Sequence, residues 1–429
     1  MKKGKVVVLL LTCCMLAGCG TSDTEILTNT IYCLAENPDD GQSDSAGTTD
    51  EGVDDTVALW DFSYKMLQEN IEDTNPVLSP LSAYLAMGMV GLGAEGETLD
   101  EFHQTMGQGM QDISGKLMQK LPGWIQDTTE DEKQSVLEVA NSVWIDKGMN
   151  PNTDWVQSVS DIYKAEAFQA VLSDRSTMKD INKWVEEKTH SLIKEFLSEP
   201  LDPESRMALF NTIYFLGEWV HDFEPNNTYK EDFTTTDGKT VKVDMMHDYE
   251  RSEYYFKNDN LDGVVLKYRY GDMAFVAMKP TAGQNVREMY EQLTYEELIS
   301  LLDNAASQPI RLKLPKFEVE FDKVLNETLQ NMGIKRAFDA ELAEFDGLGT
   351  TDNGYPLYIS LVRQKAVVKL DEEGTEAAAV TMVVMNECAA LEPQQKPIDV
   401  FFDEPFVYMI MDMGSQTPLF MGIMDNPVQ

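Results

Sequence analysis

Catalytic or metal chemistry in this chain would have to be built from four histidines, five cysteines and a large excess of acids. His103, His190, His221 and His247 are scattered, and none belongs to an H-E-x-x-H pair. There is no C-x-x-C, so no zinc or redox pair is spelled out, and no G-x-S-x-G nucleophile elbow. His221-Asp222 sets a base beside an acid, but among 74 Asp and Glu residues such pairings arise by composition alone. Gly91-Leu92-Gly93-Ala94-Glu95-Gly96 matches G-x-G-x-x-G. It follows a predicted helix over residues 81–90, opened by Ser79-Pro80, where a dinucleotide site needs a strand, and no acid waits at the expected distance beyond it. No catalytic residue, metal or cofactor is therefore assigned, and the chain is not read as an enzyme. Asn226-Asn227-Thr228 and Asn326-Glu327-Thr328 match glycosylation sequons without further support.

The most unusual stretch is residues 371–392, D-E-E-G-T-E-A-A-A-V-T-M-V-V-M-N-E-C-A-A-L-E. Three acids and a glycine lead into nine residues, 377–385, without charge, Gly or Pro and rich in β-formers. On a period of two, Thr375, Ala377, Ala379, Thr381, Val383 and Met385 share one small or apolar face. Such a strand needs a sheet on both sides, and left exposed it is an aggregation hazard.

The elements that must position this stretch are read from a chain of 429 residues, 43% apolar, ample for a large core. A formal net charge of −40 argues against nucleic acid and against an anionic membrane surface as partners. Lys2, Lys3 and Lys5 precede an apolar run over 6–16 that is too short to span a bilayer. Leu16-Ala17-Gly18-Cys19 then resembles a bacterial lipobox. Residues 1–18 are expected as a lipoprotein signal peptide and Cys19 as the lipidated residue, with the mature chain outside the cytoplasm. Stable anchoring needs more than one acyl chain. Residues 19–55, acidic and without Lys or Arg, are expected as an extended, disordered tether. Cys13 and Cys14 fall in the signal, which leaves Cys33 and Cys388 and implies no disulfide framework.

From residue 56 helical patterns come first. Val57, Trp60, Tyr64 and Leu67 share a face, as do Ile181, Trp184, Val185 and Leu192. From Phe210 strands take over. Val241 and Val243 alternate with Lys242, and Phe317, Val319 and Phe321 with Glu318 and Glu320; residues 274–278 are continuously apolar, and residues 400–402, 406–411 and 419–424 read as closely spaced strands. Helices early and strands late favour an α+β architecture.

Four segments together resemble the serpin family, in order, over residues 56–429. Residues 75–94, N-P-V-L-S-P-L-S-A-Y-L-A-M-G-M-V-G-L-G-A, resemble its early S-P-x-S helix start; residues 210–219, F-N-T-I-Y-F-L-G-E-W, resemble its N-x-x-x-F-x-G-x-W strand. Residues 371–379 are similar to its hinge, E-x-G-T-E-A-A, and residues 401–427, with D-E-P-F-V-Y and S-Q-T-P-L-F-M-G-I-M-D-N-P, to its closing strands. The resemblance implies one domain of about nine helices and three β-sheets, with a reactive-centre loop over about 374–400 held outside a five-stranded sheet. It implies a suicide inhibitor: a serine protease cleaves the loop, is held as an acyl ester, and is carried to the far pole as the loop inserts as a new central strand.

By the same resemblance the hinge is Glu372, Glu373, Gly374, Thr375, Glu376, Ala377, Ala378 and Ala379, and its small residues suit insertion without overpacking. The family's spacing places the reactive bond at Cys388–Ala389, with Met385, Asn386 and Leu391 as alternative registers because the segment to Pro405 is long. A small apolar Cys388 suits an elastase-like pocket and offers no cation to a trypsin-like one. The sheet-opening cluster maps to Ser79, Ser82, Asn211 and Trp219, with Gln364 where the family usually has histidine. Gln donates and accepts but does not titrate. The expected partner is a target serine protease in covalent complex, with no cofactor, no nucleic acid and membrane contact only through the N-terminal lipid; the expected state is a monomer at the cell surface. The readings kept beside it are a non-inhibitory or cysteine-protease-directed serpin, a secreted acidic hydrolase and a binding module.

Overall fold

The computed structural model describes residues 24–27, 50–120, 136–269, 271–281, 284–375 and 396–428. These form nine α-helices and three sheets of mixed α+β type. Helix Asp50–Gln68 buries a stripe that includes Trp60, Phe62, Met66 and Leu67, broader than the face read from the sequence. Helix Pro80–Gly91 is buried along its whole length. Ser79 caps it by accepting from the Ser82 N–H, and Pro80 occupies the first turn, where no N–H is needed. It packs between strand Met207–Glu218 of one sheet and strand Thr417–Met424 of another, so its apolar sequence serves two faces at once.

The main sheet has five long strands, in the order Glu166–Ala170, Val136–Asp146, Met207–Glu218, Arg363–Leu370 and Phe317–Val324, plus two two-residue additions. Glu25–Ile26 adds to the outer edge beside Glu166–Ala170, and Gly374–Thr375 sits between Met207–Glu218 and Arg363–Leu370. The second sheet runs Ile398–Phe401, Ala306–Pro315, Thr240–Lys257, Leu261–Lys267, Met273–Pro280, Phe406–Asp412, Thr417–Met424 and Val77–Leu78, with Thr228–Thr234 joined to Thr240–Lys257. Met149–Pro151 and Gly349–Thr351 make the third.

Several expectations need correction. Strand Val136–Asp146 lies in the stretch read as helical, because its V-L-E-V-A-N-S-V-W-I-D run shows no clean alternation. Helices Tyr295–Asp303 and Asn326–Met332 lie among the later strands. Leu192 lies beyond helix Arg175–Lys188, since the chain turns left-handed at His190 and Ser191. Within the expected tether, residues 24–27 lie on the sheet edge, where Leu27 packs on the core and the backbone pairs with Glu166–Ala170, and helix Asp50–Gln68 begins before residue 56. The hinge is not wholly outside the sheet. Cys19, and the loop from Glu376 to the Cys388–Ala389 bond, lie outside the described residues.

Candidate functional site

The site is a wedge between two parallel strands. Met207–Glu218 and Arg363–Leu370 come together at a parallel bridge between Leu209 and Val362. At the other end Gly374–Thr375 separates them, antiparallel to both, with Gly374 opposite Glu218 and Thr375 opposite Gly217 and Leu370. Backbone N–H and C=O groups facing a gap need partners, and a strand entering there supplies them on both sides.

A tight turn carries the chain from Arg363–Leu370 into this position. The Asp371 N–H donates to the Gly374 carbonyl at 2.9 Å, and the Glu373 N–H donates to Asp371 Oδ1 at 3.0 Å. Gly374 has φ of +155°, and a Cβ there would stand 2.0 Å from the Gly217 carbonyl oxygen, so glycine is required. Trp219 grips the turn twice: its backbone N–H donates to the Glu373 carbonyl at 2.9 Å, and its indole Nε1–H to the Asp371 carbonyl at 3.1 Å. The Phe223 N–H donates to the Glu372 carbonyl at 2.8 Å.

Glu372 is tied by its side chain as well. It accepts from Thr228 Oγ1 at 2.7 Å and pairs with Lys316. Burial works to raise its pKa, but the hydrogen bonds from Lys316 and Thr228 outweigh that and hold the carboxyl below the ordinary glutamate range. Thr375 is buried, with Oγ1 2.6 Å from the Tyr268 hydroxyl. Burial pushes the Tyr268 phenol far up and the bond to Thr375 only partly opposes it, so the hydroxyl keeps its proton. The Tyr268 ring stacks on Trp219, with centroids 4.7 Å apart and planes 10° from parallel, and meets Phe215 edge-on at 4.9 Å.

Further down the wedge, polar groups meet behind the sheet. Gln364 Nε2 donates to the Ser79 carbonyl at 2.8 Å, and its Oε1 accepts from the Ser79 N–H at 2.9 Å. Ser82 Oγ donates to Asn211 Oδ1, Asn211 Nδ2 donates to Asn141 Oδ1, and Asn141 Nδ2 donates to the Tyr163 carbonyl at 2.9 Å. The structure thus gathers Ser79, Ser82, Asn211 and Gln364 and adds Asn141. Gln364 reaches the backbone of Ser79, whose own hydroxyl is used in the helix cap. Trp219 stands apart, at the hinge.

Sequence reasoning missed Asn141, Tyr268, Thr228 and Lys316. A lone Asn in the apolar run V-A-N-S-V-W was a usable signal for a buried polar contact. Tyr268, in the string K-Y-R-Y, gave none.

Among the described residues the candidate catalytic groups lie apart. His221 faces Glu253 at 3.1 Å, whereas Asp222 faces Arg269 at 3.6 Å, so these sequence neighbours do not form a base–acid pair. His190 and His247 each meet a different glutamate, and among the described residues no three His, Cys, Asp or Glu groups come together as metal ligands. Gly91–Gly96 spans a helix end and the next helix start: Gly93 packs on Leu348 and Gly96 on Glu344, so these glycines serve close packing.

Comparison with known proteins gives a consistent picture. The family described as Serpin (serine protease inhibitor) matches residues 58–427. Neuroserpin of Mus musculus is 32% identical over 390 residues, covering 87% of this chain and 92% of the relative. Serine protease inhibitor A3K of Mus musculus is also 32% identical over 390 residues, covering 89% and 90%. The crystal structure of a thermophilic serpin, tengpin, in the native state superposes with a TM-score of 0.78 at 34% identity, covering 89% of this chain and 96% of that one.

Proposed function

This chain belongs to the serpin family of serine protease inhibitors, and on that premise we propose that it is a suicide inhibitor that traps an elastase-like serine protease by loop insertion. One observation carries the reading. Thr375 pairs with Gly217 on one strand and Leu370 on the other, and eight positions separate each from its member of the Leu209–Val362 bridge. The flanking strands already hold the register that a continuous central strand from Thr375 needs. Residues 376–383 fill that gap one for one.

On a period of two from buried Thr375, the inward side chains would be Ala377, Ala379, Thr381 and Val383, all small. In the same register Thr381 falls opposite Asn211 and Gln364, the strand residues of the polar cluster. A hydroxyl arriving there meets donors and acceptors instead of hydrocarbon.

The chemistry is supplied by the protease. Its serine oxygen attacks the carbonyl carbon of Cys388, the bond to the Ala389 nitrogen breaks, and that nitrogen leaves as an amine with the proton transferred by the protease's histidine. The acyl ester then either hydrolyses or is carried away by insertion, so the outcome is a race between two rates. A hinge that has already entered the sheet shortens the path for insertion. We place the protein at the cell surface, lipidated on Cys19 after removal of residues 1–18 and acting as a monomer.

The test is incubation of the purified chain with neutrophil-type elastase, followed by denaturing gel and mass spectrometry. A complex that survives denaturation and a released peptide beginning at Ala389 are expected. Cleavage without complex would count against trapping, and a different new N-terminus would move the reactive bond.

A further inference from the structure

The segment Thr24–Leu27 lies within the stretch expected as a free tether, yet it is fixed to the main sheet. Glu25 pairs with Gln169 and Ile26 with Phe168, and the Leu27 N–H donates to the Ala167 carbonyl at 2.8 Å. Thr24 Oγ1 donates to Asp180 Oδ2 of helix Arg175–Lys188 at 2.8 Å, and Leu27 packs against the core.

The sheet register gives this attachment a pole and a direction. Gln169 is level with Ile145, and Ile145 with Met207, eleven residues down the strand from Glu218 at the hinge. At a rise of roughly 3.3 Å per residue, Glu25 therefore lies about 36 Å from the level of the hinge along the strand direction, toward the opposite pole. The added strand runs antiparallel to Glu166–Ala170, which itself runs toward that far pole. At Thr24 the strand's N-terminal end accordingly points away from the hinge.

We propose that Thr24–Leu27 is an orienting clip that seats the domain on a lipid surface, far pole toward the bilayer and hinge pole away from it. The inference rests on the reading of Cys19 as the lipidated residue. Five residue-to-residue steps lead from Cys19 to Thr24, and at roughly 3.6 Å each they span at most about 18 Å. Without the clip, the next described segment is helix Asp50–Gln68, thirty-one positions from Cys19, a contour length that would allow the domain to turn. A net charge of −40 opposes adhesion to anionic headgroups, and the clip is what would set the orientation. The hinge pole is thereby presented on the side from which a soluble protease arrives.

The test uses the full-length chain, purified with its lipid and reconstituted in phosphatidylcholine vesicles carrying an energy-transfer acceptor lipid. A donor dye is placed through Glu204→Cys near the far pole or Asn226→Cys near the hinge, each with Cys33→Ser and Cys388→Ser. Transfer is expected to be higher from position 204. A twenty-residue Gly-Ser insert between Asp23 and Thr24 should lower it, whereas the same insert between Gln42 and Ser43 should leave it unchanged. Leu27→Pro, which removes the N–H that bonds Ala167, should make the second insert act like the first. Equal effects of the two inserts, or higher transfer from position 226, would overturn the clip while leaving anchoring intact. Vesicle binding undiminished by Cys19→Ala would remove the anchoring reading, and the clip's orienting role with it.

Discussion

The Tyr268 hydroxyl and Thr375 Oγ1 lie 2.6 Å apart in a fully buried setting, so the first inward-facing hinge residue is already docked on the aromatic stack of Tyr268 and Trp219. The strength of this contact bears on how the loop is held before it meets a protease. Tyr268→Phe removes one partner and leaves the Thr375 hydroxyl buried and unsatisfied, at a cost of about 1–3 kcal/mol. Amide exchange at Gly374 and Thr375 is expected to speed up by about tenfold or more; an unchanged rate would show that the backbone ladder alone holds the hinge.

Thr375→Arg tests insertion directly. A guanidinium cannot follow Thr375 into a buried slot without partners. Insertion slows, hydrolysis of the ester wins the race, and the inhibitor becomes a substrate. A gel should show cleaved chain and free active protease in place of the covalent complex, and full complex yield would refute the proposed route.

The Glu372–Lys316 pair gives the hinge a defined response to acid. The folded-state pKa of Glu372 lies below its ordinary value, so its contribution is fully present above the normal glutamate range. It is lost as pH falls through the lowered folded-state value. Hinge amide protection should therefore hold from neutrality down to mildly acidic pH and drop only in stronger acid. Glu372→Gln should reduce protection at neutral pH and flatten this dependence.

Gln364 holds both backbone groups of Ser79, at 2.9 and 2.8 Å, and so ties the start of helix Pro80–Gly91 to strand Arg363–Leu370. Gln364→Ala leaves the buried Ser79 N–H without a partner, while the Ser79 carbonyl keeps the Ala83 N–H, a loss of about 1–3 kcal/mol. Thermal unfolding should move down by several degrees. Gln364→His introduces a group that titrates near neutrality, and its unfolding midpoint should vary more steeply between pH 5.5 and pH 8 than that of the parent chain.

Cys388 is open to a chemical test. Peroxide converts a thiol to polar, bulkier acids that no longer fit a small apolar pocket. The rate of elastase inhibition should fall after mild oxidation and recover with a reductant while the product is still sulfenic acid. Equal rates before and after would move the reactive bond to a neighbouring residue.

The linear order of residues sufficed for the family, the α+β class, the hinge glycine and four of the wedge's polar residues, because each lies in a local string: S-P-x-S for a capped helix, E-x-G-T-E-A-A for a turn into a strand of small residues. It failed where partners are remote. Strand Val136–Asp146 was hidden because both its faces are largely covered and its alternation is blurred. Tyr268 and Thr375 are 107 residues apart, and Asn141 and Asn211 are 70 apart. No periodicity links them. The attachment of Thr24–Leu27 rests on a sheet edge some 140 positions downstream, so composition alone reads an acidic tether there. The sequence by itself determined which segments are able to be strands and which one carries the small residues an insertion needs. Only the tertiary structure decided that Gly374–Thr375 pairs between two parallel strands and that those strands hold a matching register, because hydrogen-bond ladders and buried contacts form between chains of residues that only folding brings side by side.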